Sequence, residues 1–403
     1  MTGAREVLYV RYEDFDTHHD LLNVANGVLD LRTGELSPHD PALMFTKISP
    51  TSYVPNAQHA DWDAALTALP DDVADWMRVR FGQAATGHAA SDDVVPFLFG
   101  GGANGKTTVL DGIIGALGKA DVSGYATTVP DKVLLGSQND HPTELMTLKG
   151  ARFAYIEELP EGDYLNAVRL KKAAGTDGMI ARHIGQDNVS WTATHSLFVT
   201  TNFEVRIDAV DHGTWRRLAL VKFPFTYDGR DPDRPKDPTL RDRLRSGNDG
   251  QHEAVLAWLV AGAMAWYAAG RVLPDMPETV RADTETWRHG SNKAVAFLDE
   301  FLEPAEGCAV PTAQVFDQFT AWARRNGQRQ WTADTFWSRA EQHAWFRSGK
   351  ADRPRSPIST KRWQIQGQKT AKARLLTGLR WVDGSQPAEA AEGAAEAFPD
   401  AIQ

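Results

Sequence analysis

Val94-Val95-Pro96-Phe97-Leu98-Phe99-Gly100-Gly101-Gly102-Ala103-Asn104-Gly105-Lys106-Thr107-Thr108 reads as an apolar strand, a glycine loop and the start of a helix. Gly100, Gly105, Lys106 and Thr107 satisfy the spacing G-x-x-x-x-G-K-[ST]. Glycines let backbone N–H groups turn inward around a polyphosphate, where a side chain would block the approach. The helix expected from about Thr107 to Leu117 aims its positive end at the same phosphates. Lys106 then reaches the outer phosphates, and the Thr107 hydroxyl holds Mg2+. A chance glycine turn would not be flanked by both this strand and this helix.

Outward from this loop, Leu148 to Glu158 is a second apolar strand, ending in Glu157 and Glu158. Two acids at a strand end after a P-loop fit a Walker B strand. One carboxylate, Glu157, serves the Mg2+ shell and the other, Glu158, polarises an attacking water. Leu197-Phe198-Val199-Thr200-Thr201-Asn202 is a third strand, closing on an amide able to bond the γ-phosphate or the water. In a parallel sheet the C-terminal strand edge is where ligands sit. Between these strands, Leu170 to Asn188 reads as a helix end, a glycine turn and a hairpin tipped near Gln186 to Asn188. Arg216 and Arg217 lie just ahead of a strand running to Pro224.

The chain has 403 residues, room for two or three domains, and 42% hydrophobic residues, enough for a large core. A single cysteine, Cys308, excludes an intramolecular disulfide and a cysteine zinc cluster, and suits a reducing cytosol. The N-terminus lacks an apolar signal core. The longest uncharged apolar run, Ala254 to Gly270, is shorter than the ~20 residues of a membrane span and reads as a buried helix. The net charge of −10 disfavours nucleic acid only as a whole-chain sum. Arg339 to Arg380 holds eleven Lys/Arg against two acids, so local charge decides differently.

The expected organisation is an α/β chain in five segments. Residues 1–90 form a leader with a strand–turn–strand at Asn23 to Leu31, turning at Asn26-Gly27, and helical spacing from Asp61 to Gly87. Residues 91–225 form the nucleotide core around a parallel sheet, with a polar, mobile-looking stretch at Asp121 to Asp140. Residues 226–293 form a helical lid opened by a Pro/Asp/Arg-rich linker. Residues 294–383 form a basic module with helices at Val295 to Leu302, Ala313 to Arg325 and Thr332 to His343. Short strands at Trp363 to Gly367 and Leu379 to Val382 make a winged helix the expectation. Residues 384–403, rich in Ala and Glu, are expected to be a disordered tail.

With the P-loop, the Ile156-Glu157-Glu158 strand end, the glycine–aspartate hairpin, Thr200-Thr201-Asn202 and Trp215-Arg216-Arg217 in this order, the chain resembles the phage/plasmid primase-helicase family. These are superfamily 3 DNA helicases, AAA+ ring ATPases related to the poxvirus primase-helicase. The resemblance runs from about Leu21 to Asp383, and Leu21 to Leu36 looks like the family's leader. It implies nucleotide contacts at Gly100, Gly102, Asn104, Gly105, Lys106, Thr107 and Thr108, and Mg2+ at Thr107 and Glu157. It implies catalytic roles for Lys106, Glu157, Glu158, Asn202 as sensor 1, and Arg217, or Arg216 beside it, as an arginine finger reaching the neighbouring subunit. Leu170-Lys171 with Gly175, Asp177 and Arg182 looks like the motif carrying the DNA-binding pore hairpin, which gives DNA contacts at Lys171, Arg182 and His183. Two departures stand out. The chain begins close to the leader, leaving no room for the N-terminal primase–polymerase domain that members often carry. Thr107 stands where serine is usual, with the hydroxyl retained.

The resemblance thus implies an ATP- and Mg2+-dependent helicase of a phage, plasmid or integrated element. It would act as a homo-oligomeric, hexameric ring on single-stranded and forked DNA in the bacterial host cytoplasm, with no membrane. A separate primase or origin-binding protein is a further expected partner. Two other classes fit parts of the pattern. One is an AAA+ ATPase that remodels a protein or nucleoprotein complex; the other is a non-catalytic winged-helix regulator. Intact strand-end acids and an arginine finger argue against the second.

Overall fold

A computed structural model describes residues 11, 14–135, 142–161, 163–175, 178–183, 185–207, 211–326, 330–353 and 374–382. The chain separates into two compact units, one up to Trp287 and one from Arg288.

The first unit opens with three short antiparallel strands, β1 (Leu21–Val24), β2 (Gly27–Asp30) and β3 (Leu36–Ser37). The β1–β2 turn is Ala25-Asn26, one residue earlier than expected, because Gly27 already pairs with Val24. A Cβ on Gly27 would stand 2.3 Å from Ser37 O, so this ladder position needs glycine. Two helices follow, α1 (Ala60–Leu66) and α2 (Asp71–Ala85). Strand β4 (Val95–Phe99) leads through the glycine loop into α3 (Lys106–Leu117). Then come β5 (Ala126–Thr128), β6 (Phe153–Ile156), β7 (Tyr164–Leu165), α4 (Ala167–Ala174), β8 (Gly178–Ala181), β9 (Val189–Thr192), β10 (Ser196–Thr201), β11 (Arg206–Ile207), the single turn α5 (His212–Trp215) and β12 (Leu218–Lys222). The unit closes with α6 (Leu240–Ser246), α7 (Gln251–Ala268) and α8 (Glu278–Ser291), the last running past Trp287.

The expected parallel sheet is present, with five strands in the order β12-β4-β10-β6-β5. Strand β5 falls inside the stretch read as mobile and polar. Only Ala126 of its three residues is fully buried, too little pattern to mark a strand. The sheet is covered on both faces, as alternation along a parallel strand requires. Leu98, Phe153, Tyr155, Phe198 and Val221 enter one core with α2, α3 and α7. Phe97, Ile156, Leu197, Val199 and Leu220 enter another with Leu148, Leu170, Trp215 and Trp287.

The first core also holds Leu22, Val24, Leu29 and Leu31 of the leader and Leu256 and Leu259 of α7. Leader, nucleotide core and most of the lid, expected as separate segments, therefore share one interior. Helices α2 and α7 can approach closely because small residues meet. A Cβ on Gly82 would lie 2.3 Å from Ala263 N, and one on Gly262 would lie 2.0 Å from Arg78 O. The run Ala254 to Gly270 lies mostly in α7, a buried helix as its sequence predicts. No helix among the described residues is long and apolar enough to cross a membrane.

The second unit comprises α9 (Lys293–Phe301), β13 (Leu302–Pro311), α10 (Thr312–Arg325), α11 (Ala333–Ala340), the turn α12 (Ala344–Arg347) and β14 (Leu375–Trp381). The three expected helices are present. Strand β14 contains Leu379 to Trp381, and it pairs antiparallel with β13, a strand not expected from the sequence. Pro304, Gly307 and Pro311 break the alternation that would have revealed it. The strand expected at Trp363 to Gly367 and the tail 384–403 lie outside the described residues. Phe297, Phe319, Phe336, Trp337 and Trp381 form the unit's own core, with the Phe319 and Phe336 rings 4.4 Å apart.

Candidate functional site

Parallel register brings Phe99 of β4 beside Thr201 of β10 and Ile156 of β6 beside Val199. The glycine loop, Asn202, Glu157 and Glu158 consequently leave the sheet at one edge. The loop owes its shape to left-handed residues: Gly102 (φ 99°), Ala103 (φ 49°) and Gly105 (φ 81°). Gly100 needs its bare Cα because a Cβ would overlap the Asn104 amide, 1.5 Å away. At Gly105 a Cβ would meet Ala68 at 2.6 Å, whereas at Gly101 and Gly102 it would meet nothing within 4 Å. The crown of the loop is thus open where a phosphate would enter. Helix α3 begins there with no side-chain cap, leaving its first-turn N–H groups for an anion. Asn104 is 5% exposed and its Nδ2 lacks a protein partner.

Lys106 is 5% exposed, and its Nζ donates to Gly100 O (3.1 Å), Thr201 O (2.7 Å) and Asn202 Oδ1 (2.8 Å). Burial lowers the ammonium below the ordinary lysine pKa, and the charge of Glu158 opposes that shift. Asn202 in turn donates through Nδ2 to Glu158 Oε1 at 2.6 Å. Lys106, Asn202 and Glu158 therefore form one continuous network. Glu157, Glu158 and Thr107 are exposed, and Thr108 is half-buried. This edge offers a cation, helix N–H donors, a hydroxyl and two carboxylates, the groups a polyphosphate with a divalent cation requires.

The arginines ahead of β12 differ from one another. Arg217 has a side chain 14% exposed and donates to Gly213 O (2.6 Å) and Asp93 Oδ2 (2.7 Å). Arg216 reaches the same oxygen at 3.2 Å with its side chain 44% exposed. The holding residue, Asp93, carries no sequence signal; it adopts φ 58°, a conformation aspartate tolerates. Arg217, expected to reach a neighbouring subunit, is thus engaged within its own chain.

The glycine–aspartate motif does form a hairpin, β8 paired antiparallel with β9. Arg182 and His183 follow β8 and are exposed at its tip. Lys171 is not on the hairpin. It lies in the last turn of α4, because the helix extends through Ala174, and its Nζ donates to Asp211 Oδ1 at 2.7 Å. Asp177 lies outside the described residues. Of the eleven cations from Arg339 to Arg380, Arg355, Lys361, Arg362, Lys369 and Lys372 also lie outside them. Arg353 and Arg380 are paired with Glu341 (2.8 Å) and Glu303 (2.6 Å).

A profile described as "D5 N terminal like" matches residues 1–69. A protein of African swine fever virus, provisionally named a primase, is 26% identical over 336 residues, covering 78% of this chain. A provisionally named helicase of Frog virus 3 is 26% identical over 246 residues, or 58% of the chain. The chain is homologous to viral primase and helicase proteins. It spans about a third of the first relative's length, 34%, and 25% of the second. Among solved structures, the apo C-terminal region of NrS-1 aligns with a TM-score of 0.42 and 10% identity, covering 81% of this chain and 77% of that one.

Proposed function

We propose that this chain is the motor part of a replicative DNA helicase, driven by ATP and Mg2+. The observation that supports it most is the Lys106–Asn202–Glu158 network at the mouth of the glycine loop. ATP would displace Gly100 O and Thr201 O from Lys106, while Thr107 and Glu157 hold the Mg2+ that neutralises developing phosphate charge. Glu158, aimed by Asn202, would orient the water for in-line attack. Exposure makes Arg216 the better candidate for a finger acting on the next subunit of a homo-oligomeric, hexameric ring. Arg182 and His183 at the hairpin tip would follow the DNA backbone, and the basic second unit, a winged helix in this reading, would hold the fork or a loader. A separate primase or origin-binding protein would supply priming or loading. The setting in this reading is the cytoplasm of a bacterium carrying a phage or plasmid.

The test is phosphate release by the purified chain with and without single-stranded DNA, paired with displacement of a labelled strand and a mass measurement. DNA-stimulated hydrolysis with strand displacement by an oligomer is expected. Hydrolysis without displacement under any fork geometry would favour a remodelling ATPase instead.

A further inference from the structure

Glycine loops that point their N–H groups inward turn carbonyls outward, and each outward carbonyl needs a donor. In this chain the donor for Ala103 O is Tyr227 N, at 2.8 Å. Tyr227 lies beyond β12, on the segment whose Phe223 N already donates to Phe99 O at 2.8 Å. The segment after β12 therefore runs beside the loop from its base to its crown. The tyrosine does more than lend its backbone. Its hydroxyl lies 2.8 Å from Thr67 Oγ1, and Thr67 spends its own proton on Ala64 O at 2.7 Å, so Tyr227 is the donor. Its ring edge would be 3.9 Å from a Cβ at Gly105, the same position that Ala68 Cβ approaches to 2.6 Å. One residue thus joins the outward carbonyl of the loop's strained position, φ 49° at Ala103, to the end of α1.

We infer that Tyr227 is a positioning residue for the triphosphate: it braces the glycine loop against Thr67 and Ala68, so that the loop's N–H groups are set before nucleotide arrives. This rests on the ATP-binding reading above. Tyr227 faces the outer side of the loop, so it acts on affinity through preorganisation rather than on the chemical step.

The full chain, with MgCl2, is titrated with a ribose-labelled fluorescent ATP analogue. Tyr227→Phe keeps the ring and the backbone donor but loses the bond to Thr67, which should weaken binding about fivefold. Thr67→Val should do the same. The double variant should be no weaker than either alone, since both remove one interaction. Tyr227→Ala, which also loses the ring beside Gly105, should weaken binding by about tenfold or more. In turnover, the KM for ATP should rise about fivefold in Tyr227→Phe while kcat falls less than about twofold, a split that general unfolding would not give. If the native chain binds the analogue, Lys106→Ala abolishes binding, and Tyr227→Phe and Tyr227→Ala bind like the native chain, the bracing role is overturned while the ATP reading stands. Full additivity of Tyr227→Phe and Thr67→Val also overturns it. A native chain that binds no analogue overturns both.

Discussion

Asn202 stands between Lys106 and Glu158, accepting from the lysine at 2.8 Å and donating to the carboxylate at 2.6 Å. An amide can do this because it carries an acceptor and a donor on one planar group; neither aspartate nor lysine could serve both neighbours. If phosphate takes the places of Gly100 O and Thr201 O on Lys106, Asn202 still links that lysine to Glu158.

Asn202→Ala is expected to lower ATP turnover about a hundredfold while changing nucleotide affinity much less. Lys106→Ala should abolish turnover and remove most of the affinity. Phosphate release at saturating ATP, with an independent binding titration, separates the two. Equal loss of affinity in both variants would mean that Asn202 acts on the ground state.

Arg216→Ala should remove hydrolysis while shifting unfolding stability by less than about 0.5 kcal/mol, since its side chain is largely exposed. Arg217→Ala should cost about 1–2 kcal/mol, because Gly213 O and Asp93 lose a buried donor. Thermal denaturation beside the ATPase assay measures both. Mixing Arg216→Ala with Lys106→Ala chains should restore some turnover through mixed interfaces. Loss of activity at unchanged stability in Arg217→Ala alone would return the finger to Arg217.

Arg182→Ala combined with His183→Ala should weaken binding to single-stranded DNA and abolish unwinding, leaving DNA-independent hydrolysis in place. The log–log dependence of affinity on salt should flatten by roughly one unit for each phosphate no longer neutralised. Fluorescence anisotropy across a salt series reads this directly. Unwinding of a forked duplex at the native rate would shift the motor role to the basic second unit.

Arg152 is buried and donates to three carbonyls, Leu21 O (2.9 Å), Ala85 O (3.2 Å) and His18 O (3.2 Å), with its guanidinium 4.8 Å from the Tyr125 ring centroid. Arg152→Met should destabilise the first unit by about 3 kcal/mol, as the carbonyls of Leu21 and Ala85 lose their guanidinium donor. Urea denaturation is the measurement, and a shift below about 1 kcal/mol would show that water replaces the guanidinium there.

Asp61 accepts from Arg243 through both oxygens (2.7 and 2.8 Å), and this bond, chief among its causes, lowers the carboxyl pKa to about 2. The folded value lies below the unfolded one of about 3.8. The pair's contribution is therefore fully present above pH 4 and is lost as pH falls towards 2. Arg243→Met should lower stability near neutrality and flatten its dependence on pH between about 4 and 2. Denaturation midpoints at several pH values test this; an unchanged acid limb would place its cause elsewhere.

Much of the site was legible because its chemistry demands residue types at fixed spacing. Gly100, Gly105, Lys106 and Thr107 announce the loop, and the strand ends at Glu158 and Asn202 converge on it through parallel register. What stayed hidden depends on neighbours distant in sequence. Nothing around Asp93 marks it as the partner of Arg217, 124 residues away. Tyr227 sits just ahead of the Pro/Asp/Arg-rich linker and belongs to no motif. Strand β5 was too short to show a period. Lys171, grouped with Arg182 and His183 as a DNA contact, stands on the helix and apart from the hairpin, a separation hard to read where a helix end and a hairpin start lie within a few residues.

The shared interior of leader, sheet and α7 has a genetic consequence. A crossover near residue 70, where the recognised N-terminal segment stops, would leave Leu22, Val24, Leu29 and Leu31 grafted onto foreign helices that did not evolve to cover them. A crossover near residue 90 would part Phe81 from Phe198, rings 4.8 Å apart. A join just past α8, near residue 291, keeps each set of apolar side chains with its own partners. Lineages that shuffle such genes can thus trade everything beyond α8 as a cassette, whereas the first seventy or so residues must be inherited together with the sheet they help to bury.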